Sequence, residues 1–202
     1  MNKKKLLIAT HSKGKFPEII FALKGLPLEL LGLNDISDLP PGYEVEEPAA
    51  TFEGNAIIKA MTIGRKTGLL TLAEDAGLEV EALNGRPGIY SARYAPGSDE
   101  DRYRKLLEEL KAVPDDILVA QFRAVIAIYD PSKEKVRTCE GVYRGRIIRE
   151  PSGKNGFGYD PIFYNDNLQK TNAEMSVDEK NSVSHRGIAL RNAYTILREE
   201  FV

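Results

Sequence analysis

Apolar and polar positions follow two periods along this chain. Residues 5–10, with the apolar run Leu6-Leu7-Ile8-Ala9, read as the first strand, and residues 16–24 set Ile19, Ile20 and Leu23 on one face of a helix. A second strand is predicted over residues 26–33, then a link rich in proline and glycine through residues 38–42. Residues 51–61 carry helical periodicity with Thr51 as N-cap, just after the acidic patch Tyr43-Glu44-Val45-Glu46-Glu47-Pro48. Residues 99–111 predict a helix with Tyr103, Leu106, Leu107 and Leu110 as its apolar face. Residues 120–129 and 135–149, joined by the turn Asp130-Pro131-Ser132-Lys133, predict a long antiparallel hairpin. Its first arm is apolar at nearly every position, which calls for cover on both faces. A polar helical stretch over residues 174–181 and a last helix to about residue 200, capped by Ser184, complete the pattern. No internal repeat is visible.

The chain is organised around Thr71-Leu72-Ala73-Glu74-Asp75-Ala76-Gly77-Leu78-Glu79-Val80. An apolar run delivers two adjacent acids, then small residues, then a second apolar run. That order predicts a buried strand ending in carboxylates, a tight turn and a second strand. Side chains alternate along a strand, so Glu74 and Asp75 point to opposite faces. Acids at strand ends suit a hard cation, and they equally suit a solvated turn.

Other polar loops add candidate chemistry. Thr10-His11-Ser12-Lys13-Gly14-Lys15 joins a strand to a helix start, offering backbone N–H groups and a cation to phosphate without the glycine spacing of a Walker loop. Asn55 and Lys59 lie four apart and share a helix face. The loop over residues 83–94 is shaped by glycines and a proline and offers Ser91 and Arg93. Gly153-Lys154-Asn155-Gly156-Phe157-Gly158-Tyr159-Asp160-Pro161-Ile162-Phe163 is a glycine-interrupted aromatic loop; glycine admits a close ligand and the ring between can stack on a flat one. His185 and Arg186 fall in the first turn of the last helix, where an arginine opposes the helix dipole and calls for a partner elsewhere.

Composition narrows the classes. The net charge of −2, despite 28 lysines and arginines, leaves no polybasic surface for a nucleic-acid polymer and favours a small polyanion bound locally. Cys139 is the only cysteine, so no intrachain disulfide is available and a reducing cytoplasm fits. Met1-Asn2-Lys3-Lys4-Lys5 has the charge of a signal-peptide start, but the apolar run behind it is too short for export, and no stretch reaches transmembrane length.

In order along residues 5–190, these loops resemble the inosine/xanthosine triphosphate pyrophosphatase family, also called Ham1-like. Thr10 to Lys15 resembles its first phosphate-binding motif, and Thr51-Phe52-Glu53-Gly54-Asn55-Ala56 with Lys59 its second. Glu74-Asp75-Ala76-Gly77-Leu78 and Pro87-Gly88-Ile89-Tyr90-Ser91-Ala92-Arg93-Tyr94 are similar to the acidic motif. Gly156-Phe157-Gly158-Tyr159-Asp160 and Lys180 with Ser184-His185-Arg186 match the base-recognition motifs. The chain departs from the pattern at Ser12 (usually Asn), at Ala76 (in place of the Ser of Asp-Asp-Ser) and at Asn155 (usually Gly).

The resemblance implies one pyrophosphatase domain over residues 1–202: a mixed α/β fold, with an elongated central mixed sheet and flanking helices forming two lobes around a cleft. It also implies a cytoplasmic homodimer that splits ITP, dITP and XTP into monophosphate and pyrophosphate. Asp75 is then the catalytic acid, orienting or deprotonating the water. Mg²⁺, or another divalent ion such as Mn²⁺, is held by Asp75 with Glu47 or Glu46. Thr10, His11, Ser12, Lys13, Gly14, Lys15, Asn55, Lys59 and Ala76 face phosphate or sugar, and Lys180 joins Lys15 and Lys59 as a cation for the triphosphate. Phe157 stacks on the purine, while backbone groups of Gly158, Tyr159 and Asp160, with His185 and Arg186, face its 6-oxo edge. Glu74 is structural and Arg93 a candidate for phosphate or dimer contact. Related Maf-like pyrophosphatases and a non-catalytic nucleotide sensor are the alternatives.

Overall fold

The computed structural model describes residues 3–202; Met1 and Asn2, at the head of the basic start, lie outside the described residues. The strands are β1 (Lys4–Ile8), β2 (Leu28–Gly32), β3 (Leu70–Val80), β4 (Val119–Asp130), β5 (Lys135–Ile147), β6 (Phe163–Asn165) and β7 (Lys170–Thr171). The helices are α1 (Lys15–Ala22), α2 (Phe52–Thr67), α3 (Asp99–Glu109), α4 (Val177–Val183) and α5 (His185–Glu200). One sheet carries all seven strands in the order β2-β1-β3-β4-β5-β6-β7. It is mixed: β1 runs parallel to β2 and β3, with Leu6 opposite Leu30 and Leu70, whereas β6 runs antiparallel to β5 and β7. The predicted mixed α/β class holds.

The chain folds into two compact units. The first takes the chain to Asp75 together with Ala124–Gly141 and Ile188–Val202; the second holds Ala76–Arg123 and Val142–Gly187. The first buries Leu6, Leu7, Ile8, Ile19, Leu23 and Leu72 with Ile126 and Ile128 of β4. Every residue of β4 from Ala124 to Asp130 is buried, as its unbroken apolar run requires. The second unit has its own core of Leu78, Val80, Leu106, Leu110, Leu118, Ile147, Ile162 and Phe163.

One prediction is corrected. The turn expected at Ala76-Gly77 is absent, and β3 is a single strand of 11 residues. β3 lies between β1 and β4 in the sheet, and an interior strand with partners on both sides keeps small residues extended despite their weak strand preference. The capping predictions fit: Thr51 Oγ1 accepts the Gly54 N–H at 3.0 Å, and Ser184 Oγ accepts that of Gly187 at 3.1 Å. Gly68, in the left-handed region at φ 69°, ends α2 by donating its N–H to Gly64 O.

Gly64 sets how closely α2 lies on β4. A Cβ there would stand 2.6 Å from Cδ1 of Tyr129, a fully buried ring. Gly64→Ala is therefore expected to destabilise the protein, because overpacking of about 1–3 kcal/mol exceeds the roughly 1 kcal/mol that alanine gains in a helix. Urea unfolding checks this; a midpoint equal to or above that of the parent protein would show that the Tyr129 ring swings aside freely.

Candidate active site

In the first unit, β1 ends at Ile8 and hands the chain to a hydrogen-bonded loop. Thr10 Oγ1 accepts the Ser12 N–H at 3.2 Å, and Ser12 Oγ accepts the Lys15 N–H at 3.3 Å. His11 Nε2 meets Tyr43 O at 2.8 Å, and Lys13 is exposed. Gly14 stands immediately before α1 with no side-chain cap. Lys15, the first residue of α1, turns its ammonium to Glu74, 3.4 Å away.

Consecutive residues of β3 reach different helices, as strand alternation requires. Glu74 meets Lys15 of α1, while Asp75 meets α2. Asn55, fully buried one turn after the Thr51 cap, accepts the Ala49 N–H on Oδ1 at 3.0 Å and donates from Nδ2 to Asp75 Oδ2 at 3.2 Å. One turn further, Lys59 Nζ donates to Glu47 Oε1 at 2.7 Å and stands 3.7 Å from Asp75 Oδ1. Two carboxylates thus flank a single ammonium. Glu47 is the acid that reaches Lys59; Glu46 is exposed.

Asp75 is buried, and that burial is the main reason its carboxyl is pushed above the usual carboxylate range. Lys59 pulls it back down, the charge of Glu47 adds to the rise, and the Asn55 hydrogen bond and Lys15 oppose it. The donor set fits a hard divalent cation. Two converging carboxylates already share one positive charge, and no group of three or more ligating side chains occurs among the described residues. A cation that keeps several waters, as Mg²⁺ does, matches such a sparse set.

In the second unit, Phe157 is 37% exposed, with Lys180 Nζ 4.7 Å and the Arg186 guanidinium carbon 5.6 Å from its ring centroid. Asp160 closes this loop on itself. Its Oδ2 accepts the Phe157 N–H at 2.8 Å and Lys180 Nζ at 2.6 Å, and its Oδ1 accepts Asn172 Nδ2 at 3.1 Å. His185 is buried flat against Phe122, ring centroids 4.7 Å apart and planes 12° apart. Arg186 is buried as well.

Several expected ligand groups have structural duties. The N–H of Gly158, expected to face a purine, donates to Asp99 Oδ2 at 2.7 Å, and that of Asp160 goes to Phe157 O at 3.3 Å. The Tyr159 side chain is buried, and its hydroxyl donates to Ser91 O at 2.9 Å. Ser91, read as a polar offering of its loop, is itself buried: its Oγ accepts the Leu78 N–H and donates to Gly88 O. Lys180, expected among the phosphate cations, is buried in an ion pair with Asp160 in the second unit. Ala76 opens the second unit immediately after Asp75.

Asp99 and Asn172 were missed because each meets this loop only across a long sequence separation. The sole local signal was Asp99 in the acidic first turn of α3, which reads as ordinary dipole stabilisation.

Fold and clusters together define a mixed α/β protein with paired carboxylates around a helix lysine and a cation-covered aromatic ring in a glycine loop. The Ham1 family model matches residues 6–196, and the chain belongs to the Ham1 family. A dITP/XTP pyrophosphatase of Desulforamulus reducens is 45% identical over 201 residues, 98% of each chain. Its counterpart in Coxiella burnetii is 42% identical over 200 residues, again 98% of each. The solved structure of a HAM1 protein from Coxiella burnetii superposes with a TM-score of 0.89 at 41% identity, covering 97% of this chain and 99% of that one. That of the Staphylococcus aureus Ham1 protein gives 0.87 at 38%, covering 98% and 100%.

Burial makes the charge on Asp75 a cost to the fold. A carboxyl raised in the native state favours folding fully below its unfolded value, and that contribution is lost as pH rises through the raised value. In chelated buffer at neutral pH, Asp75→Asn is therefore expected to unfold at higher urea than the parent protein. The difference should vanish in acid, where Asp75 is protonated in both states. A neutral-pH midpoint below that of the parent would contradict this electrostatic reading.

Proposed function

We propose that the protein hydrolyses deaminated purine nucleoside triphosphates (ITP, dITP and XTP) to the monophosphate and pyrophosphate, clearing them from the nucleotide pool. The observation that carries this is the buried Asp75 carboxyl, raised in pKa and set with Glu47 about Lys59. The names of the relatives, dITP/XTP pyrophosphatases at 42–45% identity, support the substrate class.

The chemistry follows from the residues. The loop from Thr10 to Gly14 offers backbone and hydroxyl groups to phosphate, and Lys15 and Lys59 supply positive charge. Glu47 and Asp75 would hold Mg²⁺ (or Mn²⁺), which would supply positive charge against that of the phosphate oxygens. Asp75 orients the water and takes its proton as the oxygen bonds to the α-phosphorus. The bond from that phosphorus to the bridging oxygen breaks, and pyrophosphate leaves with the electron pair. Asn55 fixes the Asp75 carboxylate, and Glu74 fixes Lys15.

For the base, Phe157 offers the stacking face, with Lys180 and Arg186 ordering it. Buried donors from His185 and Arg186 suit a 6-oxo group and disfavour the 6-amino group of adenine, which also donates; unpaired buried donors make such discrimination large, on the order of 10⁴-fold. The whole chain then works as one pyrophosphatase domain. Its placement in the cytoplasm is supported by the single half-buried thiol of Cys139 and the nucleotide substrate, and the homodimer by the family resemblance.

Pyrophosphate release across common and deaminated triphosphates with Mg²⁺ is the deciding assay. ITP, dITP and XTP should turn over and ATP should not. Asp75→Asn should lower turnover by at least about 10³-fold while folding normally; retained activity would remove Asp75 from its role. Arg186→Ala should narrow the ITP-over-ATP preference, and unchanged selectivity would exclude Arg186 as a base reader.

A further inference from the structure

We infer that Asp99 is a positioning residue for the purine-stacking ring, acting through the backbone of Gly158. The inference rests on the proposed stacking role of Phe157. That residue stands between Gly156 at φ 77° and Gly158 at φ 66°, both in the left-handed region, so a swivel lies on each side of it. A Cβ on Gly156 would fall 2.1 Å from Asp160 Oδ2, whereas one on Gly158 would meet nothing within 4 Å. Packing therefore confines the first swivel and leaves the second to its hydrogen bonds.

Two consecutive N–H groups at this point each go to a carboxylate. That of Phe157 goes to Asp160, three residues on; that of Gly158 goes to Asp99, 59 residues away on the first turn of α3. The first bond closes the loop on Asp160, which Lys180 and Asn172 hold from the C-terminal side. The second ties the loop to a helix anchored by the buried Leu106 and by the Ser98–Asp101 capping box. Asp99 is held in turn by Arg102, whose guanidinium bonds Asp99 Oδ1 and the Gly97 carbonyl. An ionised acceptor makes a stronger tether than a neutral one. Asp99 touches neither water nor phosphate in the proposed reaction; it decides where the ring stands before a base arrives.

Asp99→Ala tests this in the full chain. Amide exchange at Gly158 should accelerate by about tenfold or more, with core amides such as Ile126 unchanged. KM for ITP should rise about tenfold with kcat nearly constant, the mark of lost binding rather than lost chemistry. Asp99→Asn keeps a carbonyl oxygen for the Gly158 N–H and should recover much of both losses. Unchanged Gly158 exchange, an unchanged KM, or equal loss of kcat and stability in both variants would each overturn the inference. Parent protein inactive on every purine triphosphate would instead sink the proposed function, with Gly158 exchange still deciding whether the tether exists.

Discussion

A carboxylate taken out of water at Asp75 is the constraint on which the first unit depends. Burial disfavours its charge, and Lys59, Asn55 and Lys15 oppose that effect. Asn55 and Lys59 ride on one helix, so α2 must begin at the right residue and lie at the right depth. The Thr51 cap sets the first condition, and Gly64, against the Tyr129 ring, sets the second. Asn55 Oδ1 also takes the Ala49 N–H, binding the acidic segment that carries Glu47 to the same helix. Several local features thus converge on one oxygen pair.

A second buried acid shows the opposite solution. Asp160 receives three donors, the Phe157 N–H, Lys180 and Asn172, on about four lone-pair sites. A carboxylate so satisfied is a strut. Asp75 takes a hydrogen bond from Asn55 at 3.2 Å and faces a lysine ammonium at 3.7 Å. The sequence places both acids in family motifs without telling them apart. Their hydrogen-bond partners separate them.

What the sequence made legible was local. Apolar periodicity located the four longer helices and the long strands, and Thr51 and Ser184 announced their helix starts through side-chain chemistry that acts within three residues. What it hid was settled at a distance. Ala76-Gly77 reads as a turn by composition, yet partners on both sides of β3 keep it extended. Ser91 looks like a loop hydroxyl, but it is spent on Leu78 and Gly88. Lys180 reads as a free cation until its partner, 20 residues earlier, is known. The Gly158 amide looks available until Asp99 takes it. Apart from the Ser91–Gly88 bond, the deciding contacts lay beyond the span that propensity or spacing can see.

The departures from the family pattern follow the same logic. At Ser12 the shorter side chain is not idle: its hydroxyl accepts the Lys15 N–H at the start of α1, a helix that Gly14 leaves without a side-chain cap. An orphan amide at a helix start needs an acceptor, and a hydroxyl two residues before Gly14 supplies one. Asn155, where a glycine is usual, donates from Nδ2 to Met175 O while its N–H goes to Ala173 O, fastening the loop that leads to Phe157. Both residues thus bond the backbone of their own loop region. At Ala76 the side chain has no hydroxyl to give, so whatever contact a serine makes there must come from backbone or water.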